Sequence, residues 1–290
     1  MVLLSCAIAI LVCTAVLGGY GLRVARLGRP DMPRLGASPG SALIPGWAVE
    51  AFYWSFHAPA RALIRLGVDA DTLTYLSLVL SLAALPLIAT GRFGMAAAVL
   101  VTGAVLDALD GMVARARGSA SPAGAVLDSC MDRLSDAAPY VGLAFFYRQS
   151  AVAFAVPLLA MVASSLVSYA RAKADIYGLS LPNGLMRRHE RLAYLIGALV
   201  LGPLWPTLGV TGDLPYPVIA AVVAVIGVVS LIAGLVLVQR TRVALMARAA
   251  ATATAKAAPA SALLASQPAK VPSRRVVAKR IGAKVSTSTT

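Results

Sequence analysis

The sequence predicts an all-α, polytopic membrane protein: six core helices, preceded by an extra N-terminal transmembrane helix and an interfacial amphipathic helix. Three observations predict it. The 290 residues are 59% apolar and only 13% charged, where a soluble domain carries about a quarter charged residues. Apolar runs recur at the length a bilayer demands, about 20 residues per spanning helix. Lys and Arg gather at the ends of those runs and in the last stretch of the chain, where a membrane protein keeps them. The net charge of +14 therefore does not imply nucleic acid, because the basic residues are not interleaved with aromatics on one compact domain. Cys6, Cys13 and Cys130 have neither metal-ligand spacing nor an even-numbered framework, so disulfides are not expected.

In chain order, residues 1–29 form an N-terminal anchor with a span near 2–20. This run resembles a signal peptide, but its start lacks Lys and Arg, and positive charge follows it at Arg23, Arg26 and Arg29. Residues 30–46 carry Pro30, Pro33, Pro39 and Pro45 among Gly and Ser, and read as a linker. Residues 47–66 hold Trp47, Phe52, Tyr53, Trp54, Phe56, Arg61 and Arg65, the pattern of a helix lying at headgroup depth. The domain at 67–246 follows, with spans near 73–90, 94–115, 134–148 (extended backwards by a polar turn), 151–174, 191–207 and 216–238. The tail at 247–290 is rich in Ala, Ser, Thr, Pro and Lys, has no acidic residue, and is expected to be disordered.

Loop charges set the expected orientation. One side holds Arg23 to Arg34, Arg61, Arg65, Arg115, Arg117, Arg171 through Arg191, and everything from Arg240 onward. The other holds only Arg92 and Arg148. The basic side is cytoplasmic by the positive-inside rule. This places the acidic stretch and the C-terminal tail on the cytoplasmic side of a bacterial-type inner or plasma membrane.

The chemistry gathers in one stretch. The chain has 12 acidic residues, and five of them lie between Asp107 and Asp136. Asp107 and Asp110 share a helix face at i and i+3, and Asp128 and Asp132 share one at i and i+4. Between the two pairs, Gly118, Ser119, Ser121 and Pro122 make a turn that folds the second helix back on the first. Four carboxylates at a membrane boundary repel one another and resist desolvation. Hard divalent cations offset both effects, and an all-oxygen ligand set suits magnesium or manganese. Two such ions can clamp a pyrophosphate and stabilise displacement at phosphorus. Gly111, Ala114 and Gly124 leave room for a nucleotide beside the acids, and Arg115 adds a fixed positive charge.

The pattern Asp107-x2-Asp110-Gly111-x2-Ala114-Arg115-x8-Gly124-x3-Asp128-x3-Asp132 resembles the signature of the CDP-alcohol phosphatidyltransferases, with every fixed position present. The resemblance covers roughly residues 66–242 and leaves the N-terminal span and the tail unexplained. It implies a six-helix membrane enzyme that transfers a phosphatidyl group from CDP-diacylglycerol to an alcohol and releases CMP. It also implies two metal ions on the four aspartates, Asp132 as general base, nucleotide contacts from Gly111, Ala114, Arg115 and Gly124, and a homodimer. The family often opens its first core helix with Pro-Asn-x-x-Thr; here the sequence is Ala70-Asp71-Thr72-Leu73-Thr74, which keeps only the Thr as a nucleotide-side residue. Asp71 can cap that helix.

For the acceptor, Arg171, Lys173, Arg187, Arg188 and Arg191 concentrate basic charge at the same membrane face. Such a pocket suits an alcohol already carrying a phosphate. These stretches, with Arg240, resemble those of bacterial phosphatidylinositol-phosphate synthases, which implies acceptor-phosphate contacts from Arg171, Lys173, Arg188, Arg191 and Arg240. Arg171 and Lys173 stand in the reverse basic order from that pattern. Glycerol 3-phosphate is the alternative acceptor, and ordinary positive-inside charge is the alternative account of the cluster. A cation transporter using intramembrane aspartates is the alternative of another class; it has no use for the spacing of Gly111, Ala114, Arg115 and Gly124. His57 and His189 lack partners at ligand spacing, Cys130 is assigned to packing, and Gly197 and Gly202 are expected to let helices approach closely.

Overall fold

The computed structural model describes residues 18–28, 46–179, 181, 184–204 and 214–265. A helical stretch at 18–27 comes first. It is followed by α1 (Gly46–Ser55), α2 (His57–Arg65), α3 (Ala70–Ala89), α4 (Phe93–Ala116), α5 (Pro122–Phe146), α6 (Ala151–Ile176), α7 (Arg188–Leu201) and α8 (Pro217–Ala265). The described residues contain no strand. The chain divides into two units, Met1–Val243 and Ala244–Thr290. Of the second, residues 244–265 are described, and they are helical.

Among the described residues, four helices are long and apolar enough to cross a membrane: α3, α4, α6 and the Pro217–Ala253 part of α8. Their outward faces carry exposed Val79, Leu82, Val101, Leu159, Val162, Val225 and Ile232. Water would penalise such a surface, whereas lipid tails do not. The helices α5 and α7 complete the six-helix core. The first fifteen residues of α5 carry Asp128, Asp132, Arg133 and Asp136, and α7 has 14 residues. Most of the expected span at 2–20, the linker at 30–45 and the end of the span at 191–207 lie outside the described residues.

One apolar core joins α3 to α8: Ile88, Phe93, Leu143, Tyr147, Leu195, Leu199, Ile219, Val223 and Ile226 are all buried in it. Gly142 marks the tightest approach of α5 to α3, since a Cβ there would stand 2.9 Å from both Leu85 O and Ile88 Cβ. Of the two glycines expected to ease packing, Gly202 does so against Ile219, whereas Gly197 faces nothing within 4 Å.

Three expectations need correction. The stretch read as one interfacial helix is two, α1 and α2, with Phe56 between them. Pro59 explains the break, because its ring clashes with the carbonyl four residues back, at Ser55. The second half does behave as an amphipathic helix: Ala60, Leu63 and Ile64 pack with Leu109 and Val113 of α4. The N-cap position of α3 falls to Asp69 rather than Asp71, and the Asp69 side chain makes no capping bond; it pairs with Arg117 at 3.1 Å instead. Finally, residues 247–265, expected to be disordered with the rest of the tail, are helical as the end of α8. This stretch is Ala-rich, and Ala is the strongest helix former.

Candidate active site

The turn between α4 and α5 builds the site. Gly118 adopts a left-handed φ of +67°. Its N–H donates to Arg115 O at 3.2 Å, and the Ser119 N–H donates to Ala114 O at 2.9 Å. This pair of bonds satisfies the last carbonyls of α4 and stops it. Ser121 then caps α5, its Oγ accepting from the Gly124 N–H at 3.1 Å, with Pro122 in the first helical position. The reversal lays the acidic face of α5 against that of α4.

Asp107, Asp110 and Asp128 converge there, with carboxylate oxygens within 4.8 Å of one another. Thr74 of α3, itself buried, donates its hydroxyl to Asp110 Oδ2 at 2.6 Å. Thr74, expected on the nucleotide side, thus holds one of the carboxylates in place. Asp132 faces a different cation: Arg188 of α7 reaches Asp132 Oδ1 at 2.8 Å and Asp107 Oδ2 at 2.7 Å through Nη1. A guanidinium bridging two carboxylates shows that this acidic set holds a cation. The convergent carboxylates of Asp107, Asp110 and Asp128 offer the all-oxygen donor set that suits a hard divalent cation.

The expected acceptor-side cations divide into groups. Arg188 also donates from Nε to Asp136 Oδ1 at 3.0 Å. Arg191 is almost wholly buried, its side chain 4% exposed. It donates to Met186 O at 2.6 Å, Ser168 Oγ at 3.2 Å and Asp136 Oδ2 at 3.3 Å. Arg171, one turn beyond Ser168 on α6, donates to Leu181 O at 3.1 Å. The Lys173 ammonium lies 5.5 Å from the centroid of the Tyr169 ring. Arg240 is exposed on α8 and, among the described residues, forms no ion pair with the acidic cluster. The structure therefore brings Arg188 and Arg191 to the site and joins neither Lys173 nor Arg240 to it.

Arg115 folds back over Gly111. A Cβ on residue 111 would stand 2.9 Å from Arg115 Nη1, so the glycine admits the guanidinium against the helix backbone. Cys130 is exposed and unpaired as a disulfide.

Two features escaped the sequence. Asp136 bonds both arginines, although the eight-position pattern ends at Asp132. Beside it lies a narrow cleft of about 10 Å³ whose lining includes Ser77, Ser81, Ser135, Asp107, Asp136 and Arg188. The signal for Asp136 was its place one helical turn past Asp132; the serine lining left no comparable mark.

The CDP-alcohol phosphatidyltransferase family profile matches residues 68–208. The phosphatidylinositol phosphate synthase of Mycobacteroides abscessus is 36% identical over 156 residues, which cover 51% of this chain and 70% of the relative. The chain belongs to the CDP-alcohol phosphatidyltransferase family. It is a membrane transferase of phospholipid biosynthesis. A second relative of this phosphatidyltransferase, the phosphatidylinositol phosphate synthase of Streptomyces avermitilis, is 34% identical over 227 residues, covering 76% of this chain and 91% of the relative. Among solved structures, it is similar to the Mycobacterium tuberculosis phosphatidylinositol phosphate synthase with CDP-DAG bound. That match has a TM-score of 0.55 and 28% identity, over 63% of this chain and 92% of the other. The same enzyme in complex with manganese and citrate matches with a TM-score of 0.55, over 63% and 87% of the two chains.

Proposed function

We propose that this phosphatidyltransferase moves the phosphatidyl group of CDP-diacylglycerol onto an inositol phosphate, giving a phosphatidylinositol phosphate and CMP. The observation that carries the reading is the position of Arg188. This cation stands between the metal-site carboxylates and a cleft lined by Ser77, Ser81 and Ser135. A phosphorylated alcohol needs a cation for its phosphate, and the Arg188 guanidinium supplies one. The names of the relatives, both phosphatidylinositol phosphate synthases, favour the same acceptor over glycerol 3-phosphate.

Asp107, Asp110, Asp128 and Asp132 hold two magnesium ions in this reading, with manganese as a substitute. Bound there, the ions supply charge neutralisation for the donor pyrophosphate. Gly111, Ala114 and Gly124 leave the helix backbones open to the nucleotide, and Arg115 adds positive charge on that side. Arg188 binds the acceptor phosphate and orients the attacking hydroxyl. Asp132 takes the proton of that hydroxyl. The new oxygen–phosphorus bond forms at the phosphatidyl phosphorus as its bond to the bridging oxygen breaks, and CMP departs with that oxygen. The site faces the cytoplasm.

The test is CMP release by the purified full chain with CDP-diacylglycerol and magnesium, comparing inositol 1-phosphate, glycerol 3-phosphate, inositol and serine. Saturable release with inositol 1-phosphate is expected. Release with glycerol 3-phosphate alone would reassign the acceptor, and release only with an unphosphorylated alcohol would remove the phosphate pocket altogether.

A further inference from the structure

Asp136 lies outside the acidic signature, yet both of its carboxylate oxygens are engaged. Oδ1 accepts from Arg188 Nε at 3.0 Å and Oδ2 from Arg191 Nη2 at 3.3 Å. This carboxylate is the middle link of a chain of contacts. Behind it, Arg191 is fixed by Ser168 of α6 at 3.2 Å and by Met186 O at 2.6 Å. Met186 holds a φ of 58°, a left-handed conformation that side-chain-bearing residues rarely adopt. In front of it, Arg188 extends Nη1 to Asp107 and Asp132.

We infer that Asp136 is a positioning residue for the acceptor: it fixes the Arg188 guanidinium by its Nε edge, with Arg191 as a rigid backing, so that Nη1 and its neighbours meet the acceptor phosphate beside the metal site. The inference rests on the phosphorylated acceptor proposed above. Its physical basis is the planar fork of the guanidinium. An arginine held at Nε keeps its terminal nitrogens in a defined plane, whereas an arginine held only at its tip sweeps with its long side chain. While Nη1 spans Asp107 and Asp132, it cannot also serve a phosphate. Cation binding by those carboxylates frees Nη1, and the bond to Asp136 keeps the released guanidinium from drifting.

The substitution Asp136→Asn leaves one acceptor oxygen for two guanidiniums and turns an amide N–H₂ toward the other. The full chain, purified in detergent, is assayed for CMP release while inositol 1-phosphate and CDP-diacylglycerol are varied in turn. Asp136→Asn is expected to raise the acceptor KM about tenfold, the effect of weakening one charge-assisted contact, with kcat and the KM for CDP-diacylglycerol close to wild type. Asp136→Glu, which keeps the charge, is expected to recover part of the loss. The double variant Asp136→Asn/Arg188→Gln is expected to be no worse toward the acceptor than Arg188→Gln, because the two residues act as one unit.

An unchanged acceptor KM in Asp136→Asn, with wild-type enzyme saturating normally, overturns the inference and leaves the proposed function standing. Equal losses in kcat and both KM values, together with a lowered thermal midpoint, assign Asp136 a purely structural role and also overturn it. Wild-type turnover confined to unphosphorylated alcohols overturns the proposed acceptor and this inference with it. Should Asp136→Asn fail to fold, Arg188→Lys decides, since it keeps the charge and lacks Nε. The same tenfold rise in acceptor KM is expected, and a wild-type value overturns the inference.

Discussion

Arg188 carries one positive charge among three carboxylates, Asp107, Asp132 and Asp136, and so competes with any cation those carboxylates bind. Two unit charges about 4 Å apart near a protein surface interact by about 4 kcal/mol. Even a fraction of that repulsion is measurable. Arg188→Gln is therefore expected to tighten manganese binding by about tenfold, or 1.4 kcal/mol, in an equilibrium titration of the detergent-solubilised protein. Unchanged or weaker binding would mean that the arginine stays with Asp107 and Asp132 when metal is present. Asp132→Asn tests the proton acceptor in the same site. Turnover is expected to vanish while CDP-diacylglycerol binding persists, and wild-type turnover in that variant would remove Asp132 as the base. The aspartates were legible in the sequence because each pair lies within one helix, where spacing dictates a shared face. Asp136 was not, because its role depends on Arg188 and Arg191, 52 and 55 residues further along the chain. No local pattern encodes that separation. The converse held for Lys173 and Arg240: a cluster of cations on one membrane face says which side they occupy, not which of them meet.

At the scale of elements, the link between α4 and α5 is where local sequence and chemistry coincide. Gly118, Ser121 and Pro122 each carry a turn or cap preference that acts within a few residues, and the structure uses all three as their chemistry dictates. The left-handed Gly118 at φ +67° is the most exacting of them. Gly118→Ala is expected to lower stability by about 1–2 kcal/mol, the cost of a Cβ in that conformation. Ser121→Ala is expected to cost about 1 kcal/mol through the lost cap. Thermal unfolding in detergent reads both, and a Gly118→Ala midpoint equal to wild type would contradict the left-handed turn. Elements whose form depends on competing preferences were less legible. The aromatic and basic pattern runs unbroken through residues 47–66, while Pro59 acts on the backbone alone and divides the helix at Phe56. At the other end of the chain, lack of core-forming residues argued for disorder. Helix propensity, which needs no core, carries α8 through to Ala265.

For the whole molecule, the membrane fold was legible because it follows from composition and run length, the coarsest properties of the chain. The short α7 and the charged start of α5 were harder to place, since polar residues lining a site dilute the apolar signal that marks a span. The same distribution of charge argues for orientation. Arg61, Arg65, Arg115, Arg117 and Arg188 lie on the elements around the α4–α5 turn. Arg92 and Arg148 lie at the opposite helix ends, after α3 and after α5. The positive-inside rule predicts that the first set faces the cytoplasm, where in the proposed reaction CDP-diacylglycerol would meet a water-soluble acceptor. Two exposed turn positions report this directly: Ser119, between α4 and α5, and Gln149, between α5 and α6. In a chain whose own cysteines are replaced by alanine, Ser119→Cys is expected to resist a membrane-impermeant maleimide in intact cells and to react once inverted vesicles expose the inner face. Gln149→Cys is expected to show the reverse order. Labelling of Ser119→Cys in intact cells would put the acidic site on the outer face, and an acceptor made in the cytoplasm would then have to cross the membrane before it could react.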